Sequence, residues 1–140
     1  MVYDMKRWVM GIVDKLFKEQ PLGVRGEKAA AKYLRGKGYR ILARNLRLKF
    51  GEIDLIVEDV KRNWIVVVEV KSGGSEKYRP EVHLNYGKQL KLEALAKKVV
   101  LKYGLGDRKI RFDLVAVVWP AGEKKPTRIT HYEGAFQCRF

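Results

Sequence analysis

Cysteine is almost absent from this 140-residue sequence, since Cys138 is the only one. A single cysteine cannot form an intrachain disulfide, and it excludes a CxxC motif or a Cys/His zinc cluster. Serine occurs only at positions 72 and 75, so a serine nucleophile has little support. This residue usage fits a reducing compartment, and we expect a cytoplasmic protein.

Acidic residues are also few: 16 Asp and Glu stand against 30 Lys and Arg, which gives a formal net charge of +14. An excess this large on a small chain attracts polyanions. Charge alone leaves nucleic acid and an anionic membrane open. We expect a polyanionic partner, and nucleic acid is one.

Long hydrophobic runs are missing from the N-terminal region, where charges at Asp4, Lys6, Arg7 and Asp14 interrupt every apolar stretch. A signal peptide and a membrane span are therefore not expected. The spacing predicts an amphipathic helix over residues 1–20 that packs on the domain, on a second copy or on a membrane surface. A homodimer is left open. Residues 21–140 are expected to form one domain.

The pattern of the remaining chain predicts an α/β fold. Helices are expected near residues 24–35 and 85–103, and strands near residues 39–48, 52–58, 64–71, 110–119 and 128–133. The strand over residues 64–71 is apolar on both faces, which is typical of a central strand covered by helices. We therefore predict a central mixed β-sheet flanked by helices.

Two charged residues end the central strand, where Glu69 and Lys71 share a face. If residues 52–71 form a hairpin centred between Lys61 and Arg62, Asp54 lies opposite Glu69. Two opposed carboxylates about 5 Å apart destabilise a sheet unless a cation balances them. Lys71 supplies part of that charge, and a divalent cation such as magnesium would supply the rest. The alternative is an ordinary ion pair at a wet strand end.

The helices carry polar residues on their apolar faces. Glu27 continues the stripe of the first of these helices, and Lys88 and Gln89 continue that of the second. Polar groups on core-facing stripes need partners, and one shared polar site would provide them. The alternatives are a carboxylate favoured by the helix dipole and solvated residues at a helix start.

Several segments together resemble the YraN-like family of endonuclease-like proteins in the PD-(D/E)xK nuclease superfamily, which is related to archaeal Holliday junction resolvases. They cover about residues 23–136 and read GEKAAAKYLRGKGYRILARNLR, GEIDLI, VVVEVK, KQLKLEALAK, RFDLVAV and GAF. Ile53 stands where the superfamily name has proline. The N-terminal helix lies outside the resemblance.

The resemblance implies a restriction-endonuclease-like fold with an extra N-terminal helix, so that residues 21–140 form a nuclease-like domain. It implies metal ligation by Asp54 and Glu69, a catalytic Lys71 and a supporting catalytic Glu27, with magnesium or manganese as cofactor. Residues placed to bind nucleic acid are Arg40, Arg44, Arg47, Lys88, Gln89 and Lys91.

The expected function is thus metal-dependent hydrolysis of phosphodiester bonds. Two alternatives stay open: a Holliday junction resolvase that acts as a dimer, and a nucleic-acid-binding module that keeps the nuclease fold without turnover.

Overall fold

The computed structural model describes residues 20–78 and 85–136. The N-terminal helix predicted over residues 1–20 lies outside this range apart from its last residue, as do His83 and Cys138. The division of the chain at residue 20 therefore stays a prediction.

Two helices and five strands occupy the described residues. In chain order they are α1 (Leu22–Gly36), β1 (Arg40–Leu48), β2 (Gly51–Asp59), β3 (Trp64–Gly73), α2 (Tyr86–Tyr103), β4 (Ile110–Val118) and β5 (Arg128–Phe136). The last strand is longer than predicted because it continues through an irregularity opposite Phe112. Phe136 then stacks on Phe112, with ring centroids 4.5 Å apart.

The strands form one sheet in the order β1-β2-β3-β4-β5. Neighbours are antiparallel except β3 and β4, which run parallel and are joined through α2. A parallel pair needs such a crossover, because its strands cannot be linked by a tight turn. The predicted α/β class, with a mixed central sheet flanked by helices, is confirmed.

Strand β3 is buried on both faces, as its sequence predicts. Val66 and Val68 pack with the α1 side chains, whereas Ile65 and Val67 pack with those of α2. Each such side chain contributes roughly 1.5–3 kcal/mol when fully buried. The two helices therefore cover opposite faces of the sheet and extend to the same end of β3.

Strand β2 departs from the alternation that its sequence suggests. Simple alternation predicts Ile53, Leu55 and Val57 on one face, but Ile53 packs on the α2 side while Leu55 and Val57 pack on the α1 side. The alternation breaks at Asp54, between these residues. On the neighbouring strand, Asn45 lies between the pairs Arg44↔Leu55 and Leu46↔Ile53 and has a positive φ of 53°.

Helix α1 lies very close to the sheet. Its stripe of Ala30, Ala31 and Leu34 is fully buried, and the alanines let the helix backbone approach the strands. At Gly26 the approach is closest: an added Cβ would lie 1.8 Å from Ser72 Oγ. Ser72 directly follows Lys71, so this contact places the start of α1 at the end of β3.

Helix α2 begins at a capped turn, where the Asn85 side chain accepts a hydrogen bond from the Lys88 backbone N–H at 2.9 Å. Leu92, Leu95, Ala96 and Val99 form its buried stripe, as expected. Tyr103, predicted as the last member, is instead 52% exposed because the helix ends there at Gly104. None of the helices in the described residues is long and apolar enough to cross a membrane.

A buried ionic network occupies the opposite end of the sheet. Arg111 donates from Nε and Nη2 to the Asp113 carboxylate at 2.8 and 2.9 Å, and from Nη1 to Asp59 at 3.0 Å. His131 Nε2 lies 2.6 Å from the same Asp113 carboxylate. Although burial raises the pKa of Asp113, these partners hold it below its usual value. The buried Arg111 and Asp113 charges therefore each have a partner of opposite sign.

Replacing Gly26 by alanine tests the close approach of α1. We expect Gly26→Ala to lower the free energy of unfolding by about 1–3 kcal/mol, because the added methyl group meets the Ser72 side chain. Gly23→Ala is the matched control in the same helix, since nothing lies within 4 Å of its Cβ position. Urea unfolding should show the control equal to or more stable than the wild type. Equal stability of both variants would contradict the close contact.

Candidate nuclease site

The site begins where β2 and β3 separate. Their ladder runs from Asp59↔Trp64 to Leu55↔Val68, which confirms the predicted hairpin centre. Continued by one residue, this register sets Asp54 opposite Glu69. There the Asp54 side chain replaces the main chain as acceptor: Oδ2 receives the Val70 backbone N–H at 2.8 Å. The carboxylate is fixed in position by this bond.

Glu69 projects from β3 toward the start of α2 and is almost fully buried. Its Oε1 lies 3.3 Å from Lys71 Nζ and 2.7 Å from Lys88 Nζ. The Asn85 cap fixes the first turn of α2 and thereby directs Lys88 to the carboxylate. Burial lowers the pKa of Lys88, but its ion pair with Glu69 raises it overall, so it stays charged.

Glu27 reaches the site from α1, on the turn that Gly26 sets against the sheet. Its carboxyl group is close enough to that of Asp54 for each to shift the pKa of the other. Burial raises the pKa of Asp54 to about 7, and the charges of Glu69 and Glu27 add to the rise. Burial and the nearby Glu52 also raise the pKa of Glu27. Near neutral pH, the carboxyl cluster is therefore only partly ionised.

Asp54, Glu69, Lys71 and Lys88 open into one cavity of about 380 Å³ between α2 and the ends of β2 and β3, whereas Glu27 is not among its lining residues. Its lining contains Gly51, Glu52, Asp54, Glu69, Val70, Lys71, Lys88, Lys91, Leu92 and Leu95. A space of this size suits a small polar group such as a phosphate with part of its sugar. Carboxylate oxygens and ammonium groups therefore line the same cavity.

The six residues expected to bind nucleic acid are placed unequally. Lys88 and Lys91 line the cavity. Arg44 is near enough to lower the pKa of Glu27 against the effect of burial, and Arg47 Nε is 3.9 Å from Glu52 Oε2 at the cavity rim.

The other two are not brought into the cavity. Arg40 is paired at 2.9 Å with Glu58, four residues along β2 from Asp54 and hence about 13 Å away. Gln89 is half-buried in α2 and does not line the cavity.

Two features of the site are not predicted from the sequence. Glu52 has the pattern of a surface strand residue, yet it lines the cavity; its register position opposite Lys71 is the signal that could have identified it. The Val70 backbone N–H, which holds Asp54, has no sequence signature. It follows from the break of alternation in β2.

Comparison with known proteins adds a family. A family model described as "Uncharacterised protein family UPF0102" matches residues 26–117. A UPF0102 protein of Thermodesulfovibrio yellowstonii is 45% identical over 119 residues, which is 82% of this chain and 95% of that protein. A UPF0102 protein of Persephonella marina is 44% identical, covering 84% of this chain and 95% of that one.

A solved structure, "Structure of EndoMS-dsDNA2 complex", is 24% identical, with a TM-score of 0.43. It aligns with 76% of this chain and 41% of its own. A likeness of this degree carries no argument about the site. The family match bears on the site more directly, because the matched residues 26–117 include the whole candidate site, from Glu27 to Leu95. The YraN-like resemblance is thereby confirmed, and the chain belongs to the uncharacterised protein family UPF0102.

Proposed function

We propose that this protein is a metal-dependent nuclease that hydrolyses phosphodiester bonds in nucleic acid, with DNA as the preferred substrate. One observation carries the proposal: Asp54, Glu69 and Lys71 meet in one cavity at the end of the sheet. Carboxylates that repel one another there, beside a lysine, cost stability in the absence of a cation. Such an arrangement is typical of catalytic rather than structural positions.

The donor set fits magnesium or manganese. Asp54 and Glu69 offer hard carboxylate oxygens, and the pKa of Asp54 is raised first by burial and then by the charge of Glu69. Among the described residues, no group of three or more His, Cys, Asp or Glu side chains is arranged to hold a metal ion. Magnesium usually takes one or two carboxylates and completes its shell with water and substrate phosphate. Asp54 and Glu69 would hold the ion, which supplies Lewis acidity and activates water.

The remaining roles in the proposed reaction belong to side chains of the protein. Lys71 is an ammonium group beside Glu69 and is placed to position a phosphate oxygen and to stabilise charge on the reacting phosphorus. Glu27 would act through Asp54, since it raises the pKa of that carboxyl group. Lys88 and Lys91 would hold the phosphate backbone at the cavity wall.

Removing Lys71 tests the catalytic role. With magnesium or manganese and labelled linear, flapped, four-way and single-stranded substrates, we expect the wild type to cleave at least one. Lys71→Ala should lower kcat by about 100-fold or more, because developing charge loses its ammonium partner, while binding persists. Glu69→Ala should be inactive at any metal concentration used.

Lys61→Ala is the control, because it removes the same charge from the exposed turn at the other end of the hairpin. It should cleave as the wild type does. Cleavage by Lys71→Ala at the wild-type rate would contradict the assignment. Binding without cleavage by the wild type on every substrate would favour the non-catalytic binding module.

The stability of the metal-free protein tests the carboxyl cluster. Because the folded-state pKa of Asp54 lies above its ordinary value, the folded protein binds more protons than the unfolded chain between about pH 4 and pH 7. Its stability therefore falls as the pH rises through this range. Asp54→Asn keeps an acceptor for the Val70 N–H and carries no charge. We expect it to be more stable than the wild type above pH 7, by on the order of 2–4 kcal/mol, and equal below about pH 4.

Thermal and urea unfolding from pH 4 to pH 9 would measure this difference. Adding magnesium should raise the Tm of the wild type above pH 7 and leave that of Asp54→Asn unchanged. Asp107→Asn, an exposed residue in the turn after α2, is the control and should behave as the wild type. A difference that does not vary with pH, or an equal magnesium effect on both proteins, would be inconsistent with the cluster.

A further inference from the structure

A second, larger recess lies on another side of the molecule, between α1 and the loop that joins β4 to β5. Its volume is about 800 Å³, and it shares no lining residue with the candidate site. We call it the α1 groove. Its floor is apolar, formed in part by Ala29, Pro126 and Ile129.

The walls of the α1 groove carry charge of one sign. Among the described residues, six cationic side chains line it and no Asp or Glu does; the cations are Arg25, Lys28, Lys32, Lys37, Lys124 and Lys125. Within the described part of the chain, the five lysines form no ion pair with a carboxylate. By contrast, Arg108 and Arg111, at the far end of the sheet, are paired with Glu58 and Asp59. Like charges concentrated along an apolar floor favour a polyanionic ligand.

Two aromatic rings, those of Tyr33 and Trp119, line the same groove and indicate which class of polyanion it fits. The Arg25 guanidinium carbon lies 4.8 Å from the centre of the Trp119 ring, and Lys37 Nζ lies 5.4 Å from that of Tyr33. Trp119 Nε1 donates to the Glu123 carbonyl at 2.7 Å, which fixes the indole plane. Aromatic rings and stacked guanidinium groups bind unpaired bases, whereas the bases of a duplex are already covered by their neighbours. The lining therefore fits one strand rather than two.

The start of α1 connects this groove to the candidate site. Consecutive residues face the two places: Arg25 lines the groove, Gly26 lies against Ser72, and Glu27 is close enough to Asp54 to raise its pKa. Trp119 is tied to the end of β3 as well, since its backbone N–H donates to the Gly73 carbonyl at 2.8 Å. A strand lying in the groove would thus pass within one helical turn of the carboxyl cluster.

The N-terminal segment of the chain is a weaker candidate for the occupant. Residues 1–19 carry four basic and three acidic side chains. A segment that is not acidic gives no electrostatic complement to six cations. Single-stranded nucleic acid supplies both the negative charge and the planar bases.

We propose that the α1 groove binds single-stranded nucleic acid, so that the substrate of this protein carries an unpaired arm next to the bond that is cut. The substrate class rests on the proposed nuclease function. The binding of a single strand does not depend on it, because the groove contains none of the catalytic residues.

Binding can be measured by fluorescence anisotropy on the full chain in EDTA, so that cleavage plays no part. The probes are a labelled 12-nucleotide oligothymidine and a blunt 12-base-pair duplex. We expect the wild type to prefer the single strand. Lys32→Glu with Lys125→Glu, both exposed positions, should weaken single-strand binding by about tenfold or more and duplex binding by less than about threefold. Trp119→Leu should weaken only single-strand binding.

Lys61→Glu with Lys102→Glu is the control, because it reverses the same charge at exposed positions outside the groove. It should leave the preference for the single strand intact. Unchanged single-strand binding in the groove variant, or equal losses for both probes, would overturn the proposal. So would displacement of the oligothymidine by phosphatidylserine vesicles whose own binding is lost in the groove variant.

These experiments can contradict either proposal without contradicting the other. If the wild type prefers the single strand in EDTA but cleaves nothing in magnesium, the groove proposal is supported and the nuclease function is contradicted. If the wild type cleaves duplexes and substrates with an unpaired arm equally, and shows no preference for the single strand, the nuclease function is supported and the groove proposal is contradicted.

Discussion

The burial of two carboxylates at the end of an otherwise apolar sheet is the constraint from which the other features of the site follow. Asp54 keeps its position by accepting the Val70 N–H at 2.8 Å, while Glu69 is held by two lysines. Water is largely removed from both, so their repulsion is stronger than it would be at the surface. The result is a raised pKa for Asp54 and a local demand for positive charge. Under the proposed function, a divalent cation and a substrate phosphate would meet this demand.

The fold meets that constraint with three separate elements. A hairpin brings the carboxylates together, the close approach at Gly26 places Glu27 on Asp54, and the capped first turn of α2 directs Lys88 onto Glu69. Because β3 and β4 are parallel, α2 must cross the sheet between them, and its start lies at the end of β3. Helix α1 lines the cationic α1 groove and, two residues after Arg25, carries Glu27 toward Asp54. The two proposals therefore concern separate surfaces that are connected through α1.

The sequence predicted most of the hairpin, because a two-residue period and one short turn leave few registers. It also identified Glu27 and Lys88 as polar residues on apolar stripes. It did not predict the side of Ile53, since Asp54 interrupts the alternation by bonding to the main chain. The Arg111, Asp113 and His131 network joins strands through contacts that no local pattern contains, although Arg111 and Asp113 share a strand face. The α1 groove combines a helix with a distant loop, so its cations looked like ordinary surface charge.

The central claim is that Asp54 and Glu69 together hold a divalent cation. A crystal grown or soaked in manganese chloride, with anomalous data collected near the manganese absorption edge, tests it most directly. We predict an anomalous difference peak within coordinating distance of both carboxylates. A manganese peak elsewhere would contradict the claim. So would a map in which only Lys71 and Lys88 contact Glu69 although manganese is present in excess.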